Sequence, residues 1–408
     1  MQKRTSLRLD MCLFFMMSLL FFMSISAFDP FISAFATDIG IAPAVVGGIV
    51  GVAGLASLIT RLPVGVLSDM FLKRKLFIQI GLLVTIICWT IAFIAPSATT
   101  LYIGKISDGI TGSTWVIYNV MFASFFGARE AAKAVAILGV ASPFGSLIGS
   151  TVGGLIATSY GYEYSFMVAV VAACIALILS FFVKERKESE IKTKYDMTIL
   201  TEQISDKTIW IIGVLATISI MIPFGTRDTF TPLVAVDLGA NPFAISWLSN
   251  THLIFYGLAA ALCAPFFYKK LGLVRTAIWG ALLQGLIVIL IPYAPNLLAL
   301  FTLQGLAGIA FGMNFTVLTS LSIHHIPAQK QSTRMGLFQS IYAAGMFAGP
   351  VLMGILTDSF SRTTSFLVIG IVSVLCAVLT GFLLKKGQHV VSEEKIDSPV
   401  EYDPSISK

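Results

Sequence analysis

The chain has 408 residues, a formal charge of +6, 56% hydrophobic residues and only 12% charged ones. A soluble domain carries about 25% charged residues, so neither a soluble enzyme nor a nucleic-acid-binding protein fits. A membrane span needs about 20 mostly apolar residues, and runs of that length recur from residue 9 to residue 384.

Taken in order, the apolar runs predict helices over 9–36, 44–68, 76–95, 101–126, 134–157, 164–183, 207–234, 243–267, 276–292, 297–322, 336–357 and 363–384. That makes an all-α integral membrane protein with twelve transmembrane helices. The long polar stretch 184–206 divides them into two six-helix bundles, 1–183 and 207–386, followed by a polar tail, 387–408. Every Lys and Arg outside the spans, Arg362 excepted, then falls on the side of the N-terminus. Such a bias places both termini in the cytoplasm and explains the net charge. The expected location is the cell membrane, multi-pass, with the lipid bilayer as surroundings. Span one is too long for a signal peptide and lacks a small-residue cleavage pattern.

Trp89, Trp210, Trp247 and Trp279 sit near span ends, where interfacial aromatics are found. Cys12, Cys88, Cys174, Cys263 and Cys376 are scattered through apolar runs. They form no metal or disulfide pattern, and no metal or other cofactor is expected.

Between spans two and three lies Arg61-Leu-Pro-Val-Gly65-Val-Leu-Ser-Asp69-Met-Phe-Leu-Lys73-Arg74-Lys75. It reads as a short charged hairpin on the cytoplasmic side. The two halves also repeat. Gly145-Ser-Leu-Ile-Gly149-Ser150-Thr-Val-Gly153-Gly154 matches Gly345-Met-Phe-Ala-Gly349-Pro350-Val-Leu-Met-Gly354 at an offset of 200 residues, 145 to 345. Asp38-Ile-Gly-Ile-Ala-Pro43 matches Asp237-Leu-Gly-Ala-Asn-Pro242 at 199 residues, 38 to 237. Parallel six-span repeats are a transporter layout with the substrate site at mid-membrane between the halves.

The hairpin resembles the loop signature of the major facilitator superfamily, Gly-x-Leu-Ala/Ser-Asp-x-x-Gly-Arg-Lys/Arg. Gly65, Leu67, Ser68 and Asp69 match, Lys73 and Arg74 take the basic places, and Leu72 replaces the second glycine. Lys105-Ile-Ser-Asp108-Gly109 is similar to the family's fourth-helix motif Arg-x-x-Gln-Gly, with Lys105 and Asp108 as departures. Residues 145–154 resemble the fifth-helix motif Gly-x-x-x-Gly-Pro-x-x-Gly-Gly of the exporting, antiporting branches; Ser150 stands where proline is usual, and Pro350 keeps it in the second half.

The resemblance implies a drug or small-molecule proton antiporter-like branch. It sets Asp69 at the positive N-terminal end of span eleven, near Met335 and Gly336, as a cytoplasmic latch held by Lys73 and Arg74. Arg61 belongs to the same gating unit, since related transporters often have an Arg–Pro pair there; here Leu62 separates Arg61 from Pro63. Gly145, Gly149, Gly153, Gly154, Gly345, Gly349 and Pro350 let helices approach closely. In the family these helices line the boundary between the halves.

A charge at mid-bilayer costs at least about 2.5–3.5 kcal/mol on insertion scales, so a retained one is a functional candidate. Asp29, Asp108 and Asp228 lie within spans, as do Arg61, Lys105 and Arg227. Three acids balance three bases if they pair across the cavity. Asp29 and Asp228 occupy repeat-equivalent places in spans one and seven. Asp29 is a proton-coupling candidate, or else a solvated carboxylate near the outer interface. Pro30 beside it predicts a kink. Arg227 is expected to keep Asp228 ionised.

Lys105, Asp108, Gly112, Trp115 and Asn119 share one face of span four. Lys105 and Asp108 form either a permanent intrahelical pair or one opened during turnover by a proton or charged substrate. Trp115 is either a cavity wall able to stack a ligand or a packing residue against span one or two. His252 with Tyr256 on span eight, Gln339 with Tyr342 on span eleven, and Gln304 and Asn314 on span ten are further cavity candidates.

The expected function is alternating-access secondary transport, favouring proton-coupled export of a small organic molecule. The partners would be that substrate and protons, and the state a monomer. Proton-coupled uptake of a small polar nutrient (a zwitterion, organic anion or sugar) is the alternative. An integral membrane enzyme would need a convergent His, Cys or carboxylate cluster, and no Walker-type nucleotide motif is present. No catalytic residue is therefore assigned.

Overall fold

Eleven helices among the described residues are long and apolar enough to cross a membrane. The computed structural model describes residues 2–71, 73–126, 134, 137–185, 197–323, 326 and 328–391. The remaining predicted span, the fourth, is present but interrupted. It runs as Ala98–Ser113 and Trp115–Ala123, with Thr114 between them. The twelve-span architecture stands, and no strand occurs among the described residues.

Local chemistry sets the breaks. Span one runs Gln2–Ser26, then a single tight turn Asp29–Phe31, then Ile32–Asp38. Pro30 has no N–H to give to the preceding turn, so the helix cannot continue through it. Span seven breaks near the equivalent place: Lys207–Gly225, a wide π turn Thr226–Phe230, then Thr231–Asp237 with Pro232 near its start. A π turn is commonly found at functional sites. Starts are marked as clearly. Ser97 and Thr100 form a reciprocal capping box at span four. Asn241 accepts the Ala244 N–H just before Pro242 at span eight.

The hairpin differs from expectation. Pro43–Phe71 is one helix, with Pro63 inside it, so span two runs past the expected end at 68, Asp69 is helical like Arg61 and Gly65, and the connection before Arg74 is shorter than expected. Lys75 Nζ donates to the carbonyls of Phe181 and Val183, each at 3.1 Å, closing the end of span six. The Arg74 N–H donates to Glu185 Oε1 at 2.8 Å, and Lys73 is exposed just outside the helix. The Asp69 side chain, and so its latch contact, lies outside the described residues.

Spans five and eleven line the boundary between the halves, against spans eight and two, while most of their glycines turn toward their own half. An added Cβ at Gly145, Gly149 or Gly153 would overlap backbone atoms of Leu19, Met23 or Ala27 in span one of the same half. At Gly345 and Gly349 it would strike Thr217 and Met221 in span seven. Gly154 and Pro350 touch the opposite half, through Ser246 and Gly47. The stripes in spans five and eleven hold each half together. The boundary uses other glycines. Gly47, Gly51 and Gly54 of span two lie against Pro350, Phe347 and Met346 of span eleven. Ser150 Oγ donates to Asn250 Oδ1 at 2.7 Å, and the Phe243 N–H reaches Thr158 Oγ1 at 3.0 Å. The contacts at Gly47, Phe243 and Thr158 sit toward the outer ends of the spans, while Gly54 and Met346 reach the wall of the cavity described below.

Part of the linker is structured too. Met197–Ser205 is a helix packed on the start of span eleven. There the buried Arg334 donates to the Ser322 carbonyl (3.0 Å) and Gln203 Oε1 (3.3 Å), and pairs with Asp206 at 2.6 Å.

Candidate functional site

A cavity of about 280 Å³ lies between the halves, walled by spans one, two, four, seven and eleven. Asp29, Lys105, Asp108, Asp228, Arg61 and Trp115 all face it. The break in span one delivers Asp29 to its wall, and the uninterrupted first part of span four delivers Lys105 and Asp108.

Their pairing is not the three-by-three balance expected. Lys105 Nζ lies 2.7 Å from Asp29 Oδ1 and 3.2 Å from Asp108 Oδ2. One ammonium thus serves two carboxylates. The Lys105 and Asp108 side chains are almost wholly buried, at 7% and 6% exposure, while Asp29 is 42% exposed and open to the cavity. Arg227 closes on its own neighbour Asp228 through two nitrogens, one of them 2.6 Å from Oδ2. Asp29 and Asp228 also line a second, polar chamber of about 110 Å³ with Ser150 and Asn250. Arg61 has no acidic partner among the described residues. It donates to Gln339 Oε1 across the boundary at 3.0 Å and faces the Tyr342 hydroxyl.

Two side chains complete the cluster that sequence reasoning did not assign to it. Trp89, read there as interfacial, is fully buried and donates its indole N–H to Asp108 Oδ1 at 2.8 Å. Gly104 leaves room for its ring. Phe28 sits against Trp89 and under Lys105 Nζ, 5.6 Å from its ring centroid. A buried tryptophan usually finds an acceptor; which acceptor is a matter of three-dimensional packing.

Other expectations fall elsewhere. Trp115 is on the cavity wall and also packs edge-on against Phe22 of span one, centroids 4.7 Å apart. The polar face of span four stops there, because Asn119 turns its amide back to the Trp115 carbonyl (2.9 Å). His252, Tyr256, Gln304 and Asn314 are not on the wall of this cavity. His252 and Gln304 are buried and face each other between spans eight and ten, and the Tyr256 ring lies tilted against Phe311, centroids 5.1 Å apart. Asn314 donates to the Ala277 carbonyl of span nine (2.8 Å).

Two pseudo-equivalent halves, each with a broken first span, enclose a charged cavity, and the family model described as Major Facilitator Superfamily matches residues 14–233 and again 209–401. The chain belongs to the major facilitator superfamily. This transporter is 22% identical to an uncharacterized MFS-type transporter, MJ1560, of Methanocaldococcus jannaschii, over 86% of this chain and 92% of that one. It is 24% identical to the multidrug resistance protein MdtG of Enterobacter lignolyticus over 68% of each. Its fold is like that of a bacterial homologue of the human lysosomal transporter Spinster in an inward-facing, unoccupied conformation. The TM-score is 0.78 with 13% identity, covering 93% of this chain and 97% of that one. At that identity the likeness is of fold alone. The transporter is thus a multi-pass cell-membrane protein that moves a small molecule, and its fold and relatives are those of transporters.

Proposed function

We propose that this transporter exports a small organic molecule in exchange for protons, working as a monomer by alternating access. One observation carries the reading: two carboxylates, Asp29 and Asp108, share the single ammonium of Lys105 at the cavity wall. The cluster has one negative charge too many. Burial makes uncompensated charge expensive, so the cluster favours one further positive charge. A proton supplies it, and so does a cationic group on a substrate. The two compete for one place beside Asp29, and competition of that kind is what antiport requires. The fifth-span glycine motif and the multidrug resistance relative support export.

The outer seal and the inner cavity supply the rest of the cycle. Solute enters from the cytoplasm beside Asp29. The halves rock, the seal at Gly47 opens, and a proton from outside replaces the solute. Proton-coupled uptake of a small polar nutrient is the second reading, favoured by the uncompensated Arg61 in the same cavity.

Flux of a panel of aromatic amines, acids and zwitterions into proteoliposomes, with and without an imposed pH gradient, tests both. Export by exchange predicts solute movement opposite to proton flow. Movement in the same direction establishes uptake, and indifference to the gradient in every case contradicts proton coupling.

A further inference from the structure

Arg61 is the cavity base whose described partners are all neutral. Gln339 takes one guanidinium nitrogen, Tyr342 lies beside it, and the buried Nε has no hydrogen-bond partner among the described residues. The other two intramembrane bases are each matched to carboxylates. A permanent charge in a membrane cavity is costly without a counter-charge, and nothing described around Arg61 supplies one. Both neutral partners come from span eleven, in the opposite half, so whatever takes their place at Arg61 acts on the contact between the halves.

Depth gives the seat a shape. Thr60, next to Arg61, meets Ser113 at 2.8 Å, close before Trp115. Arg61 is therefore level with Trp115, and Phe21 and Phe22 of span one line the cavity with them. The Asp29–Lys105–Asp108 cluster lies further along the same spans, about 10–15 Å away at 1.5 Å per residue. The cavity thus carries excess negative charge at one end, and a positive charge beside aromatic walls at the other.

We propose that Arg61 is a binding seat for the acidic group of an organic solute, a carboxylate or similar oxyanion whose apolar body lies against Phe21, Phe22 and Trp115. Guanidinium suits this role because its planar fork matches two acceptor oxygens at once. The incoming anion displaces Gln339 from the guanidinium and so loosens the contact between spans two and eleven. A solute with an amine at its far end would also meet Asp29, so the substrate class of the export reading becomes an amphoteric, partly aromatic molecule. The proposal rests on taking this cavity as the substrate site.

The test is equilibrium binding without any gradient, on the full chain in phosphatidylcholine nanodiscs, followed by tryptophan fluorescence. The probes are 4-phenylbutyrate, 4-phenylbutylamine and the neutral 4-phenylbutanol. Phenylbutyrate should bind more tightly than phenylbutanol. Arg61→Gln should weaken it at least tenfold while leaving phenylbutanol within twofold, which also shows that the variant is folded. Arg61→Lys should fall between. Equal affinity of phenylbutyrate for wild type and Arg61→Gln, or no preference over phenylbutanol, overturns the seat. Repeating the titration with phosphatidylglycerol in the nanodisc identifies the source of the anion. Unchanged affinity supports a free organic acid; a fall that follows the phosphatidylglycerol content reassigns the seat to a lipid headgroup. Since no proton gradient enters, failure here leaves proton coupling at Asp29 standing, and failure of coupling leaves this binding result standing.

Discussion

Lys105 Nζ stands 2.7 Å from the Asp29 carboxylate of span one and 3.2 Å from Asp108 on its own helix. Without the ammonium, two carboxylates face one vacated place. Lys105→Ala should therefore impair transport more than Lys105→Ala combined with Asp108→Ala, by about tenfold, within the 0.5–3 kcal/mol typical of residues in contact. Initial flux rates of the single and double variants in proteoliposomes measure this. Simple additivity would sink the idea of a shared ammonium.

Trp89 holds Asp108 from the other side, at 2.8 Å. Trp89→Phe keeps most of the ring and removes the donor, leaving a buried carboxylate oxygen short of a partner. The expected cost is about 1–3 kcal/mol of stability. Thermal unfolding in detergent reads it, and an unchanged midpoint would show that the indole N–H contributes nothing.

How much of this was legible in the sequence follows from the range of each interaction. Hydropathy placed the spans, since each is a local run. The repeat placed Asp29 and Asp228 together, because an offset survives in one dimension. Lys105 and Asp108 lie three residues apart on a single helix, so their pairing was also visible. Asp29 joining them was not, and neither was Trp89, because both depend on which helix faces which. Arg61 was legible as an in-span base, but its partner was not: the helix runs on to Phe71 and Arg61 meets Gln339 of the opposite half rather than a carboxylate.

The outer seal gives a conformational prediction. Gly47 lies so close to the Pro350 carbonyl that any side chain there must overlap it. Gly47→Val should hold the halves apart on the outer side. A cysteine placed at Ser57, on the cavity wall, should then react with an impermeant maleimide added from outside, at least severalfold faster than in the Gly47 parent. Equal labelling rates would show that this contact does not close the outer entrance.

Arg334 ties the linker helix to spans ten and eleven. Burial pushes the Asp206 carboxyl up, but hydrogen bonds from Thr208 and Arg334 pull it further down, below the usual carboxylate range. The stabilisation is therefore complete above the unfolded carboxyl's value of about 4 and is lost as pH falls through the folded one. Asp206 is more than a third exposed, so the screened pair is worth about 1 kcal/mol or less. Asp206→Asn should lower the unfolding midpoint slightly at pH 7 and converge with wild type in strong acid. A gap that widens on acidification would contradict this sign.

Proton coupling through Asp29 is tested most directly by solute flux driven by a pH gradient, comparing wild type with Asp29→Asn in proteoliposomes. Exchange of unlabelled for labelled solute, without a gradient, serves as the control for folding. Wild type should move solute against its concentration gradient when protons flow the other way. Asp29→Asn should bind solute more weakly, keep exchange at saturating solute, and lose the response to the pH gradient. Gradient-driven flux that persists unchanged in Asp29→Asn would show that the proton is carried elsewhere.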